Sequence, residues 1–278
     1  MNTHLQNKSI IITGAGGGFG GLVSQKAAAL GANVTCADIS LDAAEAVAAG
    51  IRDQGGQAQA VMADVTNEEH MHSLASKAVD AYGSIDVMIN NAGVMPLAFI
   101  SDHKDALQPW HHCIDVNFKG VVNGTVAVHD QMMRQGRGHV VNLSSIYGNH
   151  PVVGSAVYGA TKAAVNYFSE SLRVEARGKI KVTIVKPTAV LATGLAAGVV
   201  NPEACLGAVG QNIGEFGGLI QQYIEGNAAG AAVDHNDIEY AIMNAEPIAD
   251  AIIHAIDQPW GVSIGDITVR ASGDHYVI

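Results

Sequence analysis

Charge is scarce in this chain, and positive charge scarcer still. Of 278 residues, 15 are Lys or Arg against 26 Asp or Glu, a formal net charge of -11. Such a balance excludes a nucleic-acid surface, because too little is present to neutralise phosphates. Residues 187–269 carry ten acidic side chains and no Lys or Arg at all. A segment without cations is a poor receptor for a carboxylate, a coenzyme A or a phosphopantetheine. Cysteine is equally sparse. Cys36, Cys113 and Cys205 are widely separated, which excludes a disulfide framework and a paired-cysteine metal site. The twelve histidines form no HExxH or similar ligand pattern, so no metal is expected. Apolar runs are short and interrupted, so no membrane span is expected either. The opening MNTHLQNKSIIITG has neither the basic end nor the long apolar middle of a signal peptide, and the expected location is cytoplasmic.

What is present is apolar and periodic. Hydrophobic residues make up 48% of the chain, enough for a large buried core. Short apolar stretches at 8–13, 33–38, 57–64, 84–93, 139–145, 181–187 and 263–271 read as strands. Between them, helical spacing covers 20–30, 42–54, 67–82, 111–134, 157–176 and 247–256. Strands alternating with helices predict an α/β fold: a single-domain, Rossmann-type doubly wound parallel sheet of about seven strands with helices on both faces. Right-handed crossovers then bring the strand ends, and any ligand, to one edge. Residues 190–245 break the rhythm. Rich in Gly and Ala and weakly periodic, they are expected to form one or two helices over that edge and to act as a substrate lid.

TGAGGGFG, residues 13–20, falls between the first strand and the first helix. Glycines there let the backbone turn tightly and approach a pyrophosphate, whose charge a helix N-terminus favours. Their spacing, Gly14, Gly18 and Gly20, is one residue wider than the common GxGxxG. Gly14, Gly18, Phe19 and Gly20 are the expected cofactor contacts. Asp38 ends the second strand, where a carboxylate accepts hydrogen bonds from an adenosine ribose; it is also placed to cap the helix beginning near Leu41. The same carboxylate repels a 2'-phosphate, and no cation stands near it. NAD is therefore expected rather than NADP.

The stretch SSIYGNHPVVGSAVYGATK, residues 144–162, holds a Ser, a Tyr and a Lys. Free Tyr ionises near pH ~10, too high for a base at neutral pH. A Lys one helical turn later lies on the same helix face, and its ammonium, together with the positive nicotinamide, favours the phenolate. Tyr158 is then an acid/base for the O–H of an alcohol, with Lys162 beside it and Ser145 donating to the substrate oxygen.

In order along the chain, Thr13-Gly14, Gly18, Gly20, Asp64, the run Asn90-Asn91-Ala92-Gly93, Asn117, Ser145, Tyr158 and Lys162 together resemble the classical short-chain dehydrogenase/reductase family. The resemblance runs from about Lys8 to Pro187. It implies that Lys162 also holds the nicotinamide ribose and that Asn117 positions a water for proton relay. It implies too that Asn91, Asp64 and Val65 line the adenosine site. The family's PGxVxT appears here as KPTAVLAT, residues 186–193. Thr188 replaces the Gly, Val190 keeps its place, and Thr193 is the candidate for the carboxamide-binding hydroxyl.

The implied activity is NAD-dependent interconversion of a secondary alcohol and a ketone. Val94, Met95, Ile146, Tyr147, His150 and Val152 flank the catalytic group by the same resemblance, and their apolar character suits a neutral alicyclic, steroid-like or aryl substrate. The family also implies a homotetramer, with a dimer as the next choice. Its helices would meet through residues such as Val121, Val122, Val126, Ala163, Ala164 and Phe168. Two other readings compete: a sugar-nucleotide epimerase or dehydratase of the extended branch, and a nicotinamide-sensing binding protein without turnover. The first calls for a TGxxGxxG turn and a larger C-terminal domain; the second usually loses the Tyr or the Lys.

Overall fold

Ser9, three isoleucines and Thr13 form the first strand (β1, Ser9–Thr13), buried along its whole length. An unbroken apolar run of this kind suits a parallel strand covered on both faces. The structure is a computed structural model that describes residues 3–188, 190 and 194–278. Six further strands follow: β2 (Asn33–Asp38), β3 (Gln57–Met62), β4 (Val87–Asn90), β5 (Gly138–Leu143), β6 (Ile180–Pro187) and β7 (Asp266–Val269). They make one parallel sheet in the order β3-β2-β1-β4-β5-β6-β7. Chain order reverses between β1 and β4, so the loops leaving those strands diverge and open a crevice.

Alternation along the strands splits the core in two. Ile10 and Ile12 point to a layer with α1 (Gly18–Ala29), α2 (Leu41–Asp53) and α8 (Glu246–Ile256). Ile11, Met88 and Val140 point to the opposite layer, packed on α3 (Glu68–Tyr82), α5 (Gly120–Gln135) and α6 (Ala156–Glu175). Each large side chain buried this way contributes about 1.5–3 kcal/mol. Ser40 caps α2 by accepting from Ala43 N at 3.3 Å, and Asn67 caps α3 by accepting from His70 N at 3.1 Å. Across the second layer, Asn90 Nδ2 donates to Asn142 Oδ1 at 2.8 Å, and Asn142 Nδ2 donates to Ser169 Oγ at 2.8 Å. This buried amide ladder fixes α6 against β5 and β4.

One expectation is corrected. The helix expected over 111–134 begins earlier: α4 (His103–Ile114) runs through Pro109, and a π-helical stretch, Asp115–Lys119, joins it to α5. Pro109 reads as a break in sequence, yet the amide it lacks would have bonded only the exposed first turn, so the helix survives it. The described residues of 190–245 include one α-helix, α7 (Ile213–Ile224), within the expected one or two, together with short 3-10 turns, among them Pro202–Ala208. Parts of this segment are core: Ala204, Ala208 and Val209 are fully buried.

Candidate active site

The glycine turn is shaped by contacts that a side chain would destroy. Gly14 has φ +65°, and a Cβ there would lie 3.0 Å from Ala92 Cα. A Cβ on Gly20 would lie 2.3 Å from Gly14 O. Asn91 ties the turn to the end of β4: its Nδ2 donates to Thr13 O at 2.8 Å and Gly14 O at 3.2 Å. Asn91, expected at the adenosine site, supports the backbone of the loop. Above the turn lies open space, since a Cβ on Gly17 or Gly18 would meet nothing within 4 Å. No side chain caps the start of α1. An open glycine cradle at an uncapped helix N-terminus fits a pyrophosphate, and so fits a dinucleotide. Phe19 packs its ring on the core behind the turn.

Asp38 lies at the end of β2 as expected. One carboxylate oxygen accepts from Gly16 N at 2.9 Å and the other from Ser40 N at 3.0 Å, so it braces the glycine loop while Ser40 caps the helix. Asp64 accepts from Thr66 N at 2.9 Å and Thr66 Oγ at 2.8 Å. Burial opposes its ionisation, but those bonds outweigh it and hold the carboxyl below its ordinary value. Val65 is buried, and its carbonyl accepts from Asn123 Nδ2 at 2.8 Å. Val190 forms a parallel bridge with Met243 and packs on the core. Thr193 lies outside the described residues. Thr188, in place of the family's Gly, is buried, with no hydrogen-bond partner for its hydroxyl among the described residues.

Ser145, Tyr158, Lys162 and Asn117 come together beyond β4 and β5. Ser145 begins a short 3-10 turn, Ile146–Gly148, and its hydroxyl accepts from Tyr147 N at 3.3 Å. Tyr158 and Lys162 occupy the buried face of α6. Lys162 Nζ donates to Leu143 O at 2.9 Å and lies 5.7 Å from the centre of the Tyr158 ring. Burial pushes Tyr158 up to about 12, opposed by the neighbouring Ser145 hydroxyl. Burial likewise pushes Lys162 down to about 8. The phenolate expected from the Tyr–Lys spacing is therefore not the form held by the protein alone: desolvation wins, and Tyr158 is a neutral phenol at pH 7.

Asn117 lies at the middle of the π-helical stretch, fully buried. Its Oδ1 accepts from Val94 N at 2.9 Å, and its Nδ2 donates to Val94 O at 2.8 Å and to Cys113 Sγ at 3.2 Å. A Cβ on Gly93 would lie 3.3 Å from Asn117 Oδ1 and 3.8 Å from Lys162 Nζ, so this glycine keeps the two polar groups within reach of one another. Five of the six expected pocket residues, Val94, Met95, Ile146, Tyr147 and Val152, share one apolar cluster with Tyr158. His150 is exposed and outside it. Sequence reasoning missed Cys113 and Thr161, which surround Asn117, and Tyr276, which reaches the same cluster from the far end of the chain. Cys113 had a usable signal, since it lies four residues before Asn117 in a helix.

Comparison with known proteins agrees with this geometry. The short chain dehydrogenase family model matches residues 8–204. The chain belongs to the short-chain dehydrogenase family of oxidoreductases. An uncharacterized oxidoreductase of Listeria monocytogenes is 32% identical over 268 residues, covering 95% of this chain and 96% of the relative. One from Staphylococcus epidermidis is 28% identical over 267 residues, covering 96% and 98%. Among solved structures, an alcohol dehydrogenase from the archaeon Thermococcus sibiricus, complexed with 5-hydroxy-NADP, shares the fold with a TM-score of 0.76 at 20% identity over 96% of this chain and 97% of that one. A metagenomic short-chain oxidoreductase in complex with NADP gives 0.71 at 25% identity, with the same coverage. Among the described residues, no helix is long and apolar enough to cross a membrane.

Proposed function

We propose that this oxidoreductase interconverts a secondary alcohol and a ketone with NAD, acting on a neutral, mainly hydrophobic alicyclic, steroid-like or aryl compound. The observation that carries the reading is the convergence of Ser145, Tyr158, Lys162 and Asn117 on one apolar cluster beside an open glycine cradle. Gly14, Gly18, Phe19 and Gly20 would hold the pyrophosphate end, Asp38 the adenosine ribose, Asp64 and Val65 the adenine side, and Lys162 and Val190 the nicotinamide side. When bound, the nicotinamide accepts or returns the hydride. Proton handling belongs to the chain. Tyr158, a neutral phenol at pH 7, gives its proton to the ketone oxygen in reduction, while the Ser145 hydroxyl donates to that same oxygen. Oxidation requires that Tyr158 first give up its own proton to the relay, which positive charge beside the ring favours, so that the phenolate then takes the alcohol proton. Asn117 positions the relay that returns protons to Lys162.

NAD is favoured because Asp38 stands where a 2'-phosphate would enter, with Ile39 and Ser40 next to it and no cation. Both solved relatives above carry NADP-type ligands, which makes this the sharpest point to test. The unmodified protein should show a much higher kcat/KM with NAD than with NADP on a panel of alicyclic and aryl secondary alcohols. Asp38→Ala should narrow the gap. Equal use of both cofactors would defeat the NAD reading, and tight NAD binding with no turnover on any alcohol or ketone would favour the sensing protein.

The same reading makes the protein a cytoplasmic homotetramer, with residues 190–245 closing over the substrate. Exposed apolar side chains on α5 and α6, Val126, Tyr167 and Val174, support the assembly; Val121, expected there, is buried within the subunit. Light scattering that shows a stable monomer would overturn the assembly.

A further inference from the structure

Residues 270–278 fold back as a strap onto the active site. Arg270 ties it, donating to both oxygens of Asp274 at 2.9 and 2.7 Å, to Tyr276 O at 3.2 Å and to Ile278 O at 2.6 Å. The strap is then fastened to the segment after β6. Val277 N donates to Ala208 O at 3.0 Å, and Asn212 Nδ2 donates to His275 O at 2.9 Å. Gly210, at φ +55°, lets Val277 approach so closely that a Cβ there would lie 3.1 Å from it. Phe216 of α7 covers the outside of the strap, its ring centre 6.1 Å from that of Tyr276.

The strap delivers Tyr276 into the cluster that contains Tyr158. Tyr147 stands between them, its ring edge-on to the Tyr158 ring at 5.7 Å. The surrounding walls are apolar: Leu97, Ile146, Val152, Ala204 and Ala208. A phenol among such side chains needs a hydrogen-bond partner, since leaving a buried hydroxyl unmade costs about 1–3 kcal/mol. Tyr147 and Tyr276 are the two phenols that join Tyr158 in this cluster. Each phenol carries an O–H that can donate, so the pair brings hydrogen-bond donors to an otherwise apolar wall. Burial and the surrounding phenols raise Tyr276 well above its ordinary value, so it stays protonated and able to donate.

We propose that Tyr147 and Tyr276 form a second oxygen-binding point beside the catalytic tyrosine, and that the substrate is a compact secondary alcohol or ketone carrying a second hydroxyl or carbonyl oxygen next to the reacting carbon. This narrows the substrate class of the reading above and rests on it. A hydrogen-bonding point in an otherwise apolar wall discriminates strongly, because an analogue lacking the oxygen leaves the donor unpaired. The class that fits is a vicinal diol with its hydroxyketone, in which one oxygen meets Tyr158 and Ser145 and the other meets the tyrosine pair.

The test compares two ring ketones of nearly equal size, cyclohexanone and 2-hydroxycyclohexanone, with NADH in steady state. The unmodified protein should favour the hydroxyketone by about tenfold in kcat/KM, the worth of one hydrogen bond. Tyr276→Phe keeps the packing on Phe216 and Ala208 but removes the hydroxyl, and should bring the ratio near one; Tyr147→Phe should do the same. A ratio near one in the unmodified protein, or a preference that survives both variants, overturns the proposal. Turnover of neither ketone overturns the reductase reading instead. Titration of the NADH-bound protein with cyclohexane-1,2-diol and cyclohexanol then decides the tyrosine pair separately. Tighter diol binding that Tyr276→Phe abolishes upholds it, and equal binding overturns it.

Discussion

Helices α6 and α7 differ in a way their compositions do not foretell. α7 has one charged residue, Glu215, and a stripe of Phe216, Leu219, Ile220 and Tyr223 at helical spacing, yet none of its residues is buried. α6 carries Lys162, Glu170, Arg173 and Glu175, yet it buries seven residues, a lysine among them. Burial follows enclosure. α6 is held between the sheet and α4, whereas α7 has only the strap and nearby turns behind it. A polar group can therefore be kept dry and perturbed on α6, while α7 lies at the surface with all of its residues at least partly exposed. Fixed machinery and an outer cover are distinct parts of one chain.

The largest break in that comparison comes from the fixed side. Tyr158→Phe removes the acid/base but keeps the ring, so turnover should fall by about 10²–10⁴-fold with little loss of NADH binding. Single-turnover kinetics with a fluorescence titration would show both; near-normal turnover would remove Tyr158 from the chemistry.

Acid tests the sheet itself. His139 of β5 is fully enclosed, its Nε2 2.8 Å from Thr183 Oγ, and burial pushes it down to about 3, with the Lys181 charge adding to the effect. Its folded pKa lies below the ordinary 6.5, so its contribution is complete above that pH. It is lost as pH falls from there toward about 3, by up to about 1.4 kcal/mol per unit. Thermal unfolding between pH 7 and 4.5 should show this slope, and His139→Gln should flatten it. An unchanged slope would place the acid sensitivity elsewhere.

The boundary between the two parts can be located with glycines. A Cβ on Gly207 would lie 1.9 Å from Val153 O, a backbone atom that cannot swing aside. Gly207→Ala should destabilise the protein by about 1–3 kcal/mol in denaturant unfolding, which would mark residues 202–208 as scaffold. Gly218 on α7 has nothing within 4 Å of such a Cβ. Gly218→Ala should stabilise by about 0.5–1 kcal/mol through helix propensity alone. Hydrogen exchange should find α7 amides less protected than those of α6, and gaining protection when NAD and a substrate analogue are added. Protection already high and indifferent to ligand would make α7 scaffold too.

The alternation of strands and helices, the glycine turn and the Ser145, Tyr158 and Lys162 constellation were legible because each depends on local spacing. Apolar runs announce buried strands, and a helix puts positions four apart on one face. What escaped depends on long-range enclosure. That Asn91 holds Thr13 and Gly14 from the end of β4 could not be read from spacing. For Tyr158 the sequence shows the charge partners and hides the extent of burial, which raises its pKa in the protein alone. Tyr276 was invisible, since nothing local to residues 270–278 announces that Arg270 folds them back on the active site. Thr193 lies outside the described residues.

The π-helical stretch at Asp115–Lys119 also acts as a phase shifter. One extra residue in a turn rotates everything beyond it by about 100° relative to an uninterrupted helix. α4 can therefore direct Cys113 toward α6 and the catalytic cluster, while α5 directs Val128 and Met132 into the sheet from what is almost the same rod. Deleting a single residue there would heal the helix and put its two halves in conflict over which face meets the protein. Asn117 occupies the place where that conflict is resolved. The side chain that bridges Val94, Cys113 and Thr161 is thus also the hinge pin of the helix phase, and a shift in its position would be felt at once by the catalytic pocket and the sheet packing.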